Sequence, residues 1–164
     1  MLKYVNYSVV FQEIPDETTL SINISGCPCH CPGCHSAYLW KDDGEMLTPN
    51  VIDDLINRFN KDITCIALMG GDKDPTEVEA LAQHIRDHHS WCKTAWYSGR
   101  QYIPHSIDRQ VFDYIKVGPY IEHLGALTSP RTNQKLLKRL ADGTFEDITR
   151  LFWKKTGTTS VKNI

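Results

Sequence analysis

Four of the chain's six cysteines fall within eight residues, in the stretch Gly26-Cys27-Pro28-Cys29-His30-Cys31-Pro32-Gly33-Cys34-His35. An ordinary apolar core does not need thiols at that density. Disulfides between residues so close would close small, strained loops and remove little unfolded-state entropy. Thiolates converging on one metal or cluster account for the spacing better. Cys27, Cys31 and Cys34 are spaced C-x3-C-x2-C, while Cys65 and Cys92 stand singly in apolar runs and form no second pair. A loop with this spacing can curl around one corner of a cubane and hold three irons of a [4Fe-4S] cluster, leaving the fourth iron open to a substrate or cofactor. A zinc ribbon shows two separated ligand pairs. Only Cys29 and His30 are at hand to complete a local zinc site, and that alternative stays open. Cys29, between the ligands, is expected to face away or to be a spare thiol.

Clustered thiols of this kind belong to a reducing compartment, so a cytoplasmic location is expected. The start, Met1-Leu2-Lys3-Tyr4-Val5-Asn6-Tyr7, lacks the apolar core of a signal peptide. No apolar run approaches the roughly 20 residues of a membrane span. The formal net charge of −2 gives no basic field for nucleic acid or an anionic membrane. At 164 residues the chain reads as one domain, 1–164, with a mobile tail from about residue 156.

Along the chain, strand and helix signals alternate. Tyr7 to Phe11 suits a short strand, and Pro15-Asp16-Glu17 a turn. In Thr19 to Ser25, Leu20, Ile22 and Ile24 alternate with polar residues, a period-2 strand that runs straight into the cysteine loop. Residues 36–47 read as a linker with a polar turn at Asp42-Asp43-Gly44. Thr48-Pro49 opens a helix with an apolar stripe of Val51, Ile52, Leu55, Ile56 and Phe59. Ile63 to Met69 reads as a buried strand. Asp74-Pro75-Thr76-Glu77 opens a second helix, carried on by Val78, Leu81, Ala82 and Ile85 and fraying at Asp87-His88-His89. Lys93 to Tyr97 and Tyr114 to Val117 are further strands, with a short helical patch over Ile107 to Phe112. Beyond Tyr120 the pattern weakens. Leu136, Leu137 and Leu140 suggest a short helix or strand edge, and Ile148, Leu151 and Phe152 a small amphipathic closing element. The repeat predicts βαβ units and a mostly parallel sheet, either an open α/β sheet or a partial barrel. The cysteine loop then lies at the carboxyl end of a strand, where such sheets place their ligands.

Met69-Gly70-Gly71-Asp72 sits between a strand and a helix. Its two glycines permit close approach of backbone to a ligand, and Asp72 adds a carboxylate. An ordinary strand-to-helix turn has the same composition. His84, His88 and His89 fall at a helix end and read as solvated side chains; none of the seven histidines is assigned as a ligand. His35 is expected to pack against the cluster.

C-x3-C-x2-C directly after a strand resembles the signature of the radical S-adenosylmethionine (SAM) enzymes, although Gly33 stands where that family usually has an aromatic residue. Gly26-Cys27-x3-Cys31-Pro32-Gly33-Cys34, with Trp40 beyond it, is similar to one branch, the activating proteins of anaerobic ribonucleoside-triphosphate reductase. Gly118-Pro119 and the segment Ser129 to Gln134 look like further pieces of that branch; Val117 replaces the acidic residue expected before the glycine. The resemblance runs from Leu20 to about Gln134. It implies a truncated (β/α) barrel, a [4Fe-4S] cluster on Cys27, Cys31 and Cys34, and SAM bound by Gly70, Gly71 and Asp72 with Ser98 and Arg100. It implies that the cluster and SAM carry the chemistry, with no catalytic side chain. The implied partners are the large subunit of the reductase, on which a glycyl radical would be made, and an electron donor such as a flavodoxin-type protein. Two alternatives remain, another small radical SAM enzyme with a small-molecule substrate and a non-catalytic zinc or Fe–S binding module.

Overall fold

The structure is a computed structural model that describes residues 1–153. The tail expected from about residue 156 therefore lies outside the described residues. Eight strands form one sheet: β1 (Lys3–Val10), β2 (Thr19–Ile24), β3 (Glu45–Met46), β4 (Cys65–Met69), β5 (Lys93–Tyr97), β6 (Tyr114–Val117), β7 (Lys135–Arg139) and β8 (Phe145–Asp147). Their order is β3-β1-β2-β4-β5-β6-β7-β8. The sheet is open, with β3 and β8 at its edges.

The four central strands, β2, β4, β5 and β6, are parallel. Both flanks are antiparallel, β1 on β2, β3 on β1, β7 on β6 and β8 on β7. The mostly parallel sheet read from the sequence is thus confined to the centre. The reason is the connections. A parallel pair needs a crossover, and helices supply it between β2 and β4 and between β4 and β5. Residues 11–18, with Pro15 and the left-handed Asp16 (φ 64°), fold β1 directly back against β2. Strands β1, β3 and β8, and the strand identity of β7, escaped or only half emerged from the pattern because pairing with a neighbour, not periodicity, makes them strands.

Helix α1 (Pro49–Phe59) begins as its sequence dictates, with the Thr48 hydroxyl accepting from the Val51 amide at 3.3 Å. Helix α2 (Pro75–His88) begins at Asp74, whose carboxylate accepts from the Glu77 amide at 3.1 Å. Its end is not frayed: the His89 amide donates to the Ile85 carbonyl at 2.7 Å. Both helices bury one stripe, Ile52, Leu55 and Ile56 on α1 and Val78, Leu81, Ala82 and Ile85 on α2. These pack with Leu20, Ile22, Ile24, Ile66, Leu68, Trp96 and Ile115 on one face of the sheet. The alternate residues, Cys65, Ala67, Ala95, Tyr114 and Leu136, point to the other face, where Ile14, Leu127 and Ile148 cover them. Each fully buried aliphatic side chain contributes about 1.5–3 kcal/mol. None of the described helices is long and apolar enough to cross a membrane. With this topology all four parallel strands end at the same edge, at Ile24, Met69, Tyr97 and Val117.

Candidate metal centre

The cysteine loop leaves β2 at that edge and is pinned at its neck. The Gly26 amide donates to the Lys41 carbonyl and the Cys27 amide to the Leu39 carbonyl, both at 3.0 Å. The Ser25 hydroxyl donates to the Asp43 carbonyl at 2.5 Å and accepts from the Asp43 amide at 3.2 Å. Gly26 suits this neck because its φ of 74° lies in the left-handed region that favours glycine. Within the loop, the Cys34 amide closes a turn on the Cys31 carbonyl at 3.1 Å. His30 stacks on Trp40 with ring centroids 4.9 Å apart. All six cysteines are free thiols.

Cys27 and Cys34 line a cleft of about 180 Å³ whose other walls include Trp40, Asp72, Ser98 and Lys116. The cleft fits a thiolate-ligated anionic group. The Ser36 amide donates to the Cys34 sulfur at 3.4 Å. The Trp40 indole nitrogen is buried with no hydrogen-bond partner among the described residues. Lys116 brings a cation under the loop, its charged form favoured by the nearby Asp72, Cys31, Cys29 and Cys34 against the cost of burial.

Of the residues singled out from the sequence, Cys27, Cys34, Gly70, Asp72 and Ser98 line this cleft, whereas Cys31, Gly71 and Arg100 do not. Asp72, only 1% exposed, ties three loops together. It accepts from the Ser98 hydroxyl at 2.5 Å and the Gly99 amide at 2.7 Å, and the Cys29 thiol donates to it at 3.9 Å. Arg100 donates to the Asp72 backbone carbonyl at 2.7 Å and pairs with its carboxylate at 3.8 Å. Gly70 lines the cleft (φ 111°), its carbonyl accepting from the Trp96 indole at 2.8 Å. Gly71 is turned the other way: a Cβ there would lie 2.4 Å from Val78 on α2, so its bareness serves helix packing.

Cys29 does not face away. Its sulfur occupies the place of a Gly99 side chain, 2.8 Å from that Cβ position, and points to Asp72. Burial, with Asp72 and the neighbouring Cys27 and Cys31, pushes this thiol up to about 12. His35 lies beside Tyr120, ring centroids 5.6 Å apart. Asn133 and Gln134 fix a loop, donating to the carbonyls of Pro119 at 2.9 Å and Gly118 at 3.4 Å.

Lys116, inside the strand Tyr114–Val117, is a site residue that the sequence analysis did not single out. It is 8% exposed, and its ammonium donates to the carbonyls of Gly118 at 2.7 Å and Ser98 at 3.2 Å. Burial pushes it down to about 8, against the opposing pull of its anionic neighbours. The available signal was its setting: Tyr114–Val117 is a short interior strand of the sheet, buried on both faces, so Lys116 had to point inward whichever face it took.

A thiol-rich loop at the carboxyl ends of parallel strands, above a buried lysine and carboxylate, defines a domain built to hold a metal or cluster. The description of the family 4Fe-4S single cluster domain matches residues 18–118, more than half of the chain, and the protein belongs to that family. The matched segment runs from β2 to the end of β6 and contains every residue of the cleft named above. No curated protein and no solved structure matches the chain.

Proposed function

We propose that the protein is a radical SAM activase that makes a glycyl radical on the large subunit of an anaerobic ribonucleoside-triphosphate reductase. The observation that carries this reading is that Cys27 and Cys34 of the C-x3-C-x2-C loop share one cleft with Gly70, Asp72, Ser98 and Lys116 at one edge of the sheet. We read the parallel strands β2, β4, β5 and β6 as the core of a truncated (β/α) barrel. Cys27, Cys31 and Cys34 would hold three irons of a [4Fe-4S] cluster and leave the fourth open to SAM. When bound, the cluster supplies the electron that splits SAM into methionine and a 5′-deoxyadenosyl radical, which takes the α-hydrogen of a glycine and becomes 5′-deoxyadenosine.

The chain's own part is binding, orientation and exclusion of water. Lys116 offsets the negative charge gathered by three thiolates and Asp72. Asp72, held by Ser98 and Gly99, fixes the turn and would supply a carboxylate to attract the methionine ammonium of SAM. Gly70 leaves that turn open to the ligand. The cleft mouth has no further domain among the described residues to cover it, and the partner protein closes it while presenting its glycine. Glycine suits the role, having no side chain to block approach. The electron comes from a separate donor, such as a flavodoxin-type protein. Trp153, 37% exposed while its indole donates to the Leu127 carbonyl at 2.9 Å, is a candidate to help dock the partner.

The test mixes anaerobically reconstituted protein, SAM, a strong reductant and the large subunit, and records the electron paramagnetic resonance spectrum. A glycyl-type doublet that requires SAM and each of Cys27, Cys31 and Cys34 is expected. SAM cleavage with no radical on that subunit, under conditions where the two bind, rules this partner out.

A further inference from the structure

The helix layer carries a second group of donor atoms, independent of the cysteine loop. Asp53 lies on α1, His84 on α2, and His89 just past the end of α2. The two imidazole Nε2 atoms meet the same Asp53 oxygen, at 2.8 Å from His84 and 2.7 Å from His89. All three donor atoms lie within 4.8 Å of one another, each on a partly buried side chain. The arrangement is held from behind. The rings of His88 and His84 stack at 4.3 Å, and His88 Nδ1 meets the His84 carbonyl at 3.0 Å. His89 is locked by its amide bond to Ile85. The histidine pair taken from the sequence as solvated helix-end residues is therefore organised around one carboxylate.

We propose that Asp53, His84 and His89 form a binding site for a first-row divalent metal ion, zinc(II) in the first instance. Two imidazoles and one carboxylate are a donor set that such ions select, with further positions left for water. Without an ion, both rings must carry a proton on Nε2 to satisfy the shared oxygen. An ion replaces the two protons and uses the same three atoms, so the site needs little rearrangement to fill. The ligands come from both helices, so the ion clips α1 to α2.

The test is a zinc(II) titration of the full chain followed by long-range proton–nitrogen NMR of the histidine rings. The readout is resolved residue by residue, so zinc taken up by the cysteine loop does not obscure it. The Nε2 signals of His84 and His89 are expected to lose their proton coupling and move together. Asp53→Asn, His84→Gln and His89→Gln should each weaken the response about tenfold or more. Two results overturn the proposal: Nε2 signals in the wild-type chain that stay fixed up to millimolar zinc, or an unchanged midpoint in a folded Asp53→Asn variant. The wild-type measurement stands if a variant fails to fold.

Discussion

At the residue scale, Lys116 separates what a sequence discloses from what only three dimensions disclose. The cysteine spacing and Gly70-Gly71-Asp72 are local patterns, visible without a fold. Lys116 acquires meaning only when the β5–β6 register sets it beside Tyr97, above the row that leads to the cleft. The position of Cys29 was hidden for the same reason, because Gly99 and Asp72, against which its sulfur lies, are far from it in the chain. Lys116 also gives a signed prediction. The unfolded chain keeps this proton up to the ordinary 10.5, whereas burial makes the folded, ligand-free chain release it near 8. The unfolded state therefore holds more protons in that window, and this group adds stability as pH rises through it. Lys116→Met should remove that increment, seen as a shallower difference between denaturation midpoints at pH 7.5 and 9.5. In the cluster-loaded protein the same change removes a cation near the thiolates and should lower the reduction midpoint. Identical pH slopes and identical midpoints would show that Lys116 is not electrically coupled to the site.

At the element scale, the two helix starts were legible because Thr48-Pro49 and Asp74-Pro75 carry their own capping chemistry. The flanking strands were not, since Lys135–Arg139 offers two adjacent leucines among cations and fits either period. The glycine pair between β4 and α2 shows a subtler division. Gly70 and Gly71 look equivalent in sequence, yet one opens on the cleft and the other seats the helix. Gly71→Ala places a methyl 2.4 Å from Val78 at φ 89°. Overpacking of this kind costs typically about 1–3 kcal/mol. Denaturant titration should show that loss. Val78→Ala in the same chain should return the steric part and leave the backbone part. Full stability in Gly71→Ala alone would contradict the packing role.

At the scale of the whole molecule, the sheet has polar structure at both ends of its parallel strands. At the amino end, Glu17, 7% exposed, accepts from the Thr64 hydroxyl at 2.6 Å, the Tyr114 hydroxyl at 2.7 Å and the Lys93 ammonium. Burial works against its charge, but these three bonds outweigh it and hold the carboxyl below the usual range. Its contribution is present above the ordinary carboxylate pKa and is lost as pH falls through the lower folded value. Glu17→Gln should cost about 1.5–3 kcal/mol at pH 7, the worth of hydrogen bonds to a charged group, and should flatten the acid limb of the stability curve. An unchanged acid limb would exclude Glu17 as its cause. At the carboxyl end lie the cysteine loop, Asp72 and Lys116, and the central claim concerns that end: three thiolates hold one [4Fe-4S] cluster. Anaerobic reconstitution with iron, sulfide and metal analysis of the wild type and of Cys27→Ala, Cys29→Ala, Cys31→Ala and Cys34→Ala tests it most directly. The account predicts about four irons and four sulfides per chain in the wild type and in Cys29→Ala, and no stable cluster in the other three. Zinc bound at the cysteine loop with no cluster, or a cluster lost in Cys29→Ala but kept in Cys27→Ala, would contradict it.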